Sequence, residues 1–300
     1  MENKETVYFC IADHYVKLTF NDTSKNNMYL MRSYMPFQVP AVADDKLLFE
    51  MIVDDTLQPV EKSRRKRIRD FETGNGHTVV DAIEGGGYQF IFKDHQGIEC
   101  GMFQIDKTYK HVVCAVKGTY DMRSFGIHNS FMLSFGISGT FHQTLLIHAS
   151  LVRHNGYGYA FHAISGTGKS TQVSNWLRFI PNCDLMNDDN PAIRVIDGKA
   201  YIYGTPWSGK TTCYRKTRAP LGGLIRIDRD SRNWVEKLSP IEAFTSVCPS
   251  CNTLRWDVEV YRKFGDNVTK VVETTNVYIL HCLPDRESAE ICHEAVAIKA

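Results

Sequence analysis

Residues 157–180 place the tightest limit on the fold. YGYAFHAI is a short apolar and aromatic run, SGTGKS is a glycine-rich turn, and TQVSNWLRFI carries Val173, Trp176, Leu177 and Ile180 at the i, i+3, i+4, i+7 spacing of an amphipathic helix. Strand, tight loop and helix therefore follow in order, which predicts an α/β (α+β) arrangement for this part of the chain.

The flanking sequence extends that pattern. TLLIHASLVRH precedes YGYAFHAI across Asn155-Gly156, and AIRVI precedes KAYIYG across Asp197-Gly198; both dipeptides tolerate positive φ and predict hairpins. LGGLIRID reads as a buried strand, NVYILHCLP as another, and RESAEICHEAVAI as a helix. Ser239-Pro240-Ile241-Glu242 combines a capping box with proline in the first turn, so a helix is expected to start there.

The first part of the chain reads differently. TVYFCIA, YVKLTF, KLLFEMIV, YQFIFKD, IECGMFQID and HVVCAVKG are separated by turn signals at Asn21-Asp22, Gly74-Asn75-Gly76, Gly85-Gly86-Gly87 and His95-Gln96-Gly97, the pattern of an antiparallel sheet or partial barrel. HNSFMLSFGISGTFHQ predicts a helix that leads out of it, which puts a boundary near 140 and gives a β-rich domain at 1–140 and a second domain at 141–300. The one dense charge run, EKSRRKRIRD at 61–70, is expected to be a solvated loop or helix face, with docking of an acidic protein as the sharper alternative. With 35 Lys and Arg against 34 Asp and Glu, the charge balance argues against a surface built for nucleic acid. The start of the chain shows no signal-peptide core, no apolar run is long enough to span a bilayer, and nine scattered cysteines fit reduced thiols, so a cytoplasmic protein is expected.

Chemistry concentrates in Ala163-Ile164-Ser165-Gly166-Thr167-Gly168-Lys169-Ser170, followed by Thr171. Glycines at 166 and 168 let backbone N–H groups turn inward around phosphate oxygens, and the following helix N-terminus adds partial positive charge. In this role Lys169 neutralises the β and γ phosphates and the Ser170 hydroxyl ligates Mg²⁺. Ala163 stands where the usual G-x-x-x-x-G-K-[ST] pattern has glycine. GTPWSGKT at 204–211 satisfies that pattern in full, but Pro206 and Trp207 make a poor anion nest and no helical stripe follows, so it is expected to line the site rather than hold phosphate. CPSC at 248–251 has the spacing of half a zinc site, with Cys282, Cys292 and His293 as the candidate completions, although ordinary buried cysteines are the preferred reading.

IHAS at 147–150, SGTGKST at 165–171 and NDDN at 187–190 occur in the order and approximate spacing of the HPr kinase/phosphorylase catalytic domain, which this part of the chain resembles. AISGTGKST is also similar to the phosphate loop of PEP carboxykinase, and GTPWSGK, APLGGLIRIDR and ILHCLPDRES resemble the wider set of HPr-kinase-related proteins. The resemblance covers roughly 140–300 and implies a PEP carboxykinase/HPr kinase-like P-loop core behind a β-rich N-terminal domain. It implies an ATP-dependent phosphotransferase that uses Mg²⁺ to pass a phosphoryl group to a hydroxyl, on a serine of a protein or peptide or on a small molecule, and often a homo-oligomer. His148 then lies beside the acidic pair, and Asp188 and Asp189 share the roles of metal ligand and general base, Asp189 being paired with Ser170 as the metal set. Ser165, Gly166, Thr167, Gly168, Lys169, Ser170 and Thr171 bind the nucleotide, and Arg215 is first choice, among Lys210, Arg215, Lys216 and Arg218, to stabilise the transferring phosphoryl group. The alternatives are a PEP carboxykinase-like enzyme and a nucleotide-binding regulator without catalysis.

Overall fold

The computed structural model describes residues 4–73, 76–209 and 211–298. The chain is mixed α/β, with two large sheets and few helices, and divides into two compact units, Met1–Ser138 and Gly139–Ala300. Among the described residues no helix is long and apolar enough to cross a membrane. Part of the turn expected at 74–76, and Lys210, lie outside the described residues.

The first unit holds β1 (Glu5–Ile11), β2 (His14–Phe20), β3 (Gln38–Val39), β4 (Leu47–Val53), β5 (Arg65–Thr73), β6 (Gly76–Ile83), β7 (Tyr88–Lys93), β8 (Glu99–Ile105) and β9 (His111–Val116). They form one nine-stranded sheet in the order β3-β1-β2-β4-β9-β8-β7-β6-β5. It is not purely antiparallel, because β4 runs parallel to both β2 and β9. The helix α1 (Tyr120–Thr140) starts before the predicted segment, and its Phe131 packs edge-on against Phe9, Tyr34 and Phe49. The basic run departs from expectation: after a 3-10 turn at Lys62–Arg64 it becomes β5. Arg65 and Arg67 both pair with Asp81 on β6, a carboxylate only 2% exposed, so the ladder and this buried acid hold the run extended.

The second unit contains β10 (Thr144–Leu146), β11 (Ala149–His154), β12 (Tyr157–His162), α2 (Lys169–Phe179), β13 (Cys183–Asp189), β14 (Ala192–Ile196), β15 (Lys199–Tyr203), β16 (Arg218–Arg229), β17 (Trp234–Lys237), α3 (Pro240–Val247), α4 (Val258–Thr274), β18 (Val277–Cys282) and α5 (Arg286–Val296). Their sheet runs β10-β14-β15-β16-β12-β11-β13, and β18 pairs with both β16 and β17. β16 joins the two halves: Arg218–Pro220 pair antiparallel with β15, and the strand then continues parallel to β12 and β18. Ala243 and Val247 of α3 and Phe264, Val268 and Val271 of α4 share one core with Leu151, Ala160 and Leu224. Val173 and Trp176 of α2 and Ala289, Cys292 and Val296 of α5 share the other with Tyr159, Phe161 and Ile225. Helices thus cover both faces of the strands, which explains why β12 reads as an unbroken apolar run.

Local signals appear where the residues require them. Asn155 and Gly156 adopt φ of 48° and 84°, and Asp197 and Gly198 49° and 72°, as hairpin turns of this length demand. Ser239 and Glu242 form the capping box at the start of α3. Two details differ. Leu177, assigned to the inner stripe of α2, is 39% exposed. TLLIHASLVRH is not one strand but breaks at Ile147-His148, because Ile147 bridges to Cys251 and the His148 N–H donates to the Ser250 carbonyl at 2.7 Å.

Candidate functional site

β12 delivers the chain into the loop at 163–168, and α2 begins at Lys169 with Gly168 as its N-cap. Gly166 and Gly168 have φ of 81° and 134°, values that side chains rarely adopt, so this turn requires glycine at both positions. Ala163 is not among the residues with positive φ, so alanine fits where the common pattern has glycine. Its carbonyl accepts a 3.1 Å hydrogen bond from Lys169 Nζ. Lys169 is 9% exposed; burial pulls its ammonium below the ordinary lysine range, and the Asp189 and Asp188 carboxylates oppose that shift. Arg229, at the end of β16, donates to the carbonyls of Thr167 (3.0 Å) and Gly166 (2.5 Å) and so ties the loop from the side.

The acidic pair enters through sheet register. β13 lies antiparallel to β11 with Ser150 opposite Asp188 and Ala149 opposite Asp189. Asp188 Oδ1 accepts from Ser150 Oγ at 2.5 Å and from Ser170 Oγ at 3.0 Å, while its Oδ2 accepts from the Thr211 N–H at 3.1 Å. Successive residues of a strand point to opposite faces, and Asp189 accordingly makes a different set of contacts. Its Oδ1 lies 2.9 Å from His148 Nδ1, and its Oδ2 accepts from Asn190 Nδ2 at 2.7 Å. The geometry therefore divides the two carboxylates opposite to the expected pairing, with Asp188 against Ser170 and Asp189 against His148.

His148 is positioned by the break between β10 and β11. Its backbone is held by Ser250, the Asn252 N–H donates to Leu146 O at 3.0 Å, and Asn252 Nδ2 donates to Asn190 Oδ1 at 3.2 Å. The segment 250–252 thus braces both sides of the His148–Asp189 pair. This is also what the CPSC segment does in the fold. Cys251 belongs to the core beneath α3 and α4, whereas Cys282 and Cys292 lie in the core beneath α2 and α5, so the proposed zinc completions fall on the opposite face of the sheet. Among the described residues no group of three or more His, Cys, Asp and Glu is arranged to hold a metal.

Residues 204–209 and Thr211 lie against the acidic pair, and no helix follows them; residues 211–217 are irregular. Asn187 Nδ2 donates to the carbonyls of Thr205 (3.2 Å) and Trp207 (3.0 Å), Ser208 bridges to Asp189, and the Gly209 N–H donates to Asp188 O. Arg215 is committed elsewhere than to the loop at 163–168: with Arg153 it binds Asp184, and it also donates to Leu185 O. Burial would raise the Asp184 carboxyl, but the hydrogen bonds from Arg153 and Arg215 outweigh it and hold the group below its ordinary value.

Ser150, Thr211, Asn190, Asn252 and Arg229 join the site without having been picked as functional residues from sequence. Ser150 lies in IHAS, Asn190 in NDDN, Thr211 in GTPWSGKT and Arg229 at the end of APLGGLIRIDR, so four of the five were within motifs already singled out, and Asn252 was not. Beside the loop, Gly166, Thr171, Gln172, Ile227, Arg229, Leu283 and Pro284 help line a cleft of about 340 Å³. A larger cleft, about 400 Å³, lies away from this chemistry between Leu221, Thr275 and Ala297. A glycine-held loop, a buried lysine, a hydroxyl against one carboxylate and a histidine against the next are the parts needed to grip an anion, seat a divalent cation and accept a proton. No family model matches the chain, and no curated protein matches it by sequence.

Proposed function

We propose that the chain is an ATP-dependent phosphotransferase of the HPr kinase type, with a PEP carboxykinase/HPr kinase-like P-loop core, that passes a phosphoryl group to a hydroxyl. The observation that carries this reading is the meeting of Lys169 and Ser170 with Asp188 and the His148–Asp189 pair, from three separate stretches of chain. Loop amides and Lys169 bind the donor's phosphates. The nucleoside occupies the adjoining cleft, against Ile227, Leu283 and Pro284. The 3.0 Å contact between Ser170 Oγ and Asp188 suits a Mg²⁺ ion held by these two groups, since Mg²⁺ on phosphates takes only one or two protein carboxylates. When bound, that ion neutralises charge on the phosphates. Asp189 takes the proton from the acceptor hydroxyl, with His148 and Asn190 fixing its two oxygens. The acceptor is a serine of a protein or peptide, or a small hydroxyl compound.

Calorimetry with ATP, ADP and pyrophosphate, each with Mg²⁺, on wild type and Lys169→Ala identifies the donor, and the variant is expected to lose binding by at least about tenfold. Labelling of acceptors in a native extract with γ-labelled ATP then tests transfer. Asp189→Asn is expected to keep Mg-ATP binding and lose labelling. Full transfer by Asp188→Asn and Asp189→Asn would overturn the catalytic assignment, and tight binding with no labelling by wild type would favour a nucleotide-dependent regulator.

A further inference from the structure

β5 is a nine-residue strand at the end of its sheet and pairs only with β6 among the described strands, whereas the opposite end is closed by the two-residue β3. Alternate residues of β5 therefore turn their N–H and C=O groups outward, a ladder available to another extended chain. We propose that this edge binds an extended acidic peptide segment by strand addition, independently of the phosphotransfer reading.

Charge selects the partner. Lys62 and Arg64 in the preceding turn, and Arg65, Lys66, Arg67 and Arg69 on the strand, stand against Glu61, Asp70 and Glu72 in the same stretch. The surrounding carboxylates leave part of that charge uncompensated. Asp81 is held by Arg65 and Arg67, Asp70 by His77 (2.8 Å) and Arg67 (3.2 Å), and Glu84 by Arg64 (3.4 Å). No described carboxylate reaches Lys62 or Lys66 within ion-pair distance, and the buried Arg65 Nε has no hydrogen-bond partner. A bulge between Arg67 and Arg69 skips Ile68 in the register with β6. It resets the alternation, so that Arg65 and Arg67 share one face and Lys66 and Arg69 the other. Cations thus flank the open ladder on both sides, matching a peptide whose acidic side chains alternate between faces. Shielding of an edge against aggregation needs only a charge of either sign, and a row of one sign is more than that purpose requires. Nucleic acid is disfavoured because the strand's single aromatic, Phe71, is partly buried with Arg69 over its ring at 5.7 Å, which leaves no stacking platform.

The test is fluorescence anisotropy of a labelled short peptide of alternating Glu and Thr against the full chain. The expected result is binding that weakens with salt and falls at least about tenfold in Lys66→Glu/Arg69→Glu, and equally when alternate peptide nitrogens are methylated. The double variant keeps charges on the edge, and an unchanged circular dichroism melt verifies its fold; the methylated peptide leaves the protein untouched. No binding by wild type, undiminished binding by the double variant, undiminished binding of the methylated peptide, or tighter binding of a single-stranded oligonucleotide would each overturn the proposal.

Discussion

Replacing His162 with glutamine is expected to remove a pH dependence from the stability of the second unit. His162 ends β12 beside the glycine-held loop and is fully buried, with Nδ1 2.9 Å from Ser250 Oγ and Nε2 without a partner. Burial, then the nearby positive charges of Arg226 and Lys169, push its pKa down to about 3. In the unfolded chain the group titrates near ~6.5. As pH falls below that value the unfolded state takes up a proton that the folded state refuses until about pH 3. Stability is therefore intact above the unfolded pKa and is lost progressively on acidification. Between pH 7 and pH 5 the loss from this one group is about 2 kcal/mol, a shift of about 1 M in a urea midpoint for a typical slope. Urea titrations followed by tryptophan fluorescence isolate the effect, because Trp176, Trp207, Trp234 and Trp256 are the chain's 4 tryptophans and all lie in the second unit. His128, whose pKa burial lowers to about 4, belongs to the first unit, and the lowered His293 is common to wild type and variant. The wild type should lose about 2 kcal/mol more than His162→Gln between the two pH values. Equal losses would refute the reasoning.

Two further substitutions probe how the site is held. Asn252→Ala removes the 3.2 Å bond to Asn190 that braces Asp189, so phosphotransfer should show a lower kcat with Mg-ATP affinity unchanged; a loss confined to nucleotide affinity would contradict the assigned role. Gly204→Ala would drive a Cβ into the carbonyl oxygens of Arg215 and Met186, which are backbone and cannot swing aside. A loss of about 1–3 kcal/mol in urea unfolding is expected, and an unchanged midpoint would mean that β15 shifts freely.

Short-range features of the second unit were legible wherever neighbouring residues determine the outcome. Asn155-Gly156 and Asp197-Gly198 tolerate the φ their turns need, and Ser239-Glu242 closes a capping box without help from the rest of the chain. The helix α4 was also there to read, in Val260, Phe264, Val268 and Val271, but no motif drew attention to it. β5 was not legible, because a run of arginines and lysines has little strand preference of its own and is extended by β6 and the buried Asp81. The break at His148 was hidden as well, since no glycine or proline interrupts TLLIHASLVRH and only Ser250 and Cys251, about a hundred residues on, divide it.

For the candidate site the division falls along the same line. Sequence alone determined the glycine-held turn that opens α2, because glycines at positive φ followed by a helix start are local properties of 165–171. It also named both carboxylates and His148, and expected a helix after this loop and none after 204–211, as the fold has it. Only the tertiary structure decided which aspartate faces which partner. Asp188 and Asp189 are adjacent in sequence, yet the strand sends them to opposite faces, and the register of β13 against β11 brings Ser150 to Asp188 and His148 to Asp189. It likewise drew Arg215 to Asp184 and brought Arg229 to the loop, because ion pairing and strand packing act between residues that no spacing rule connects.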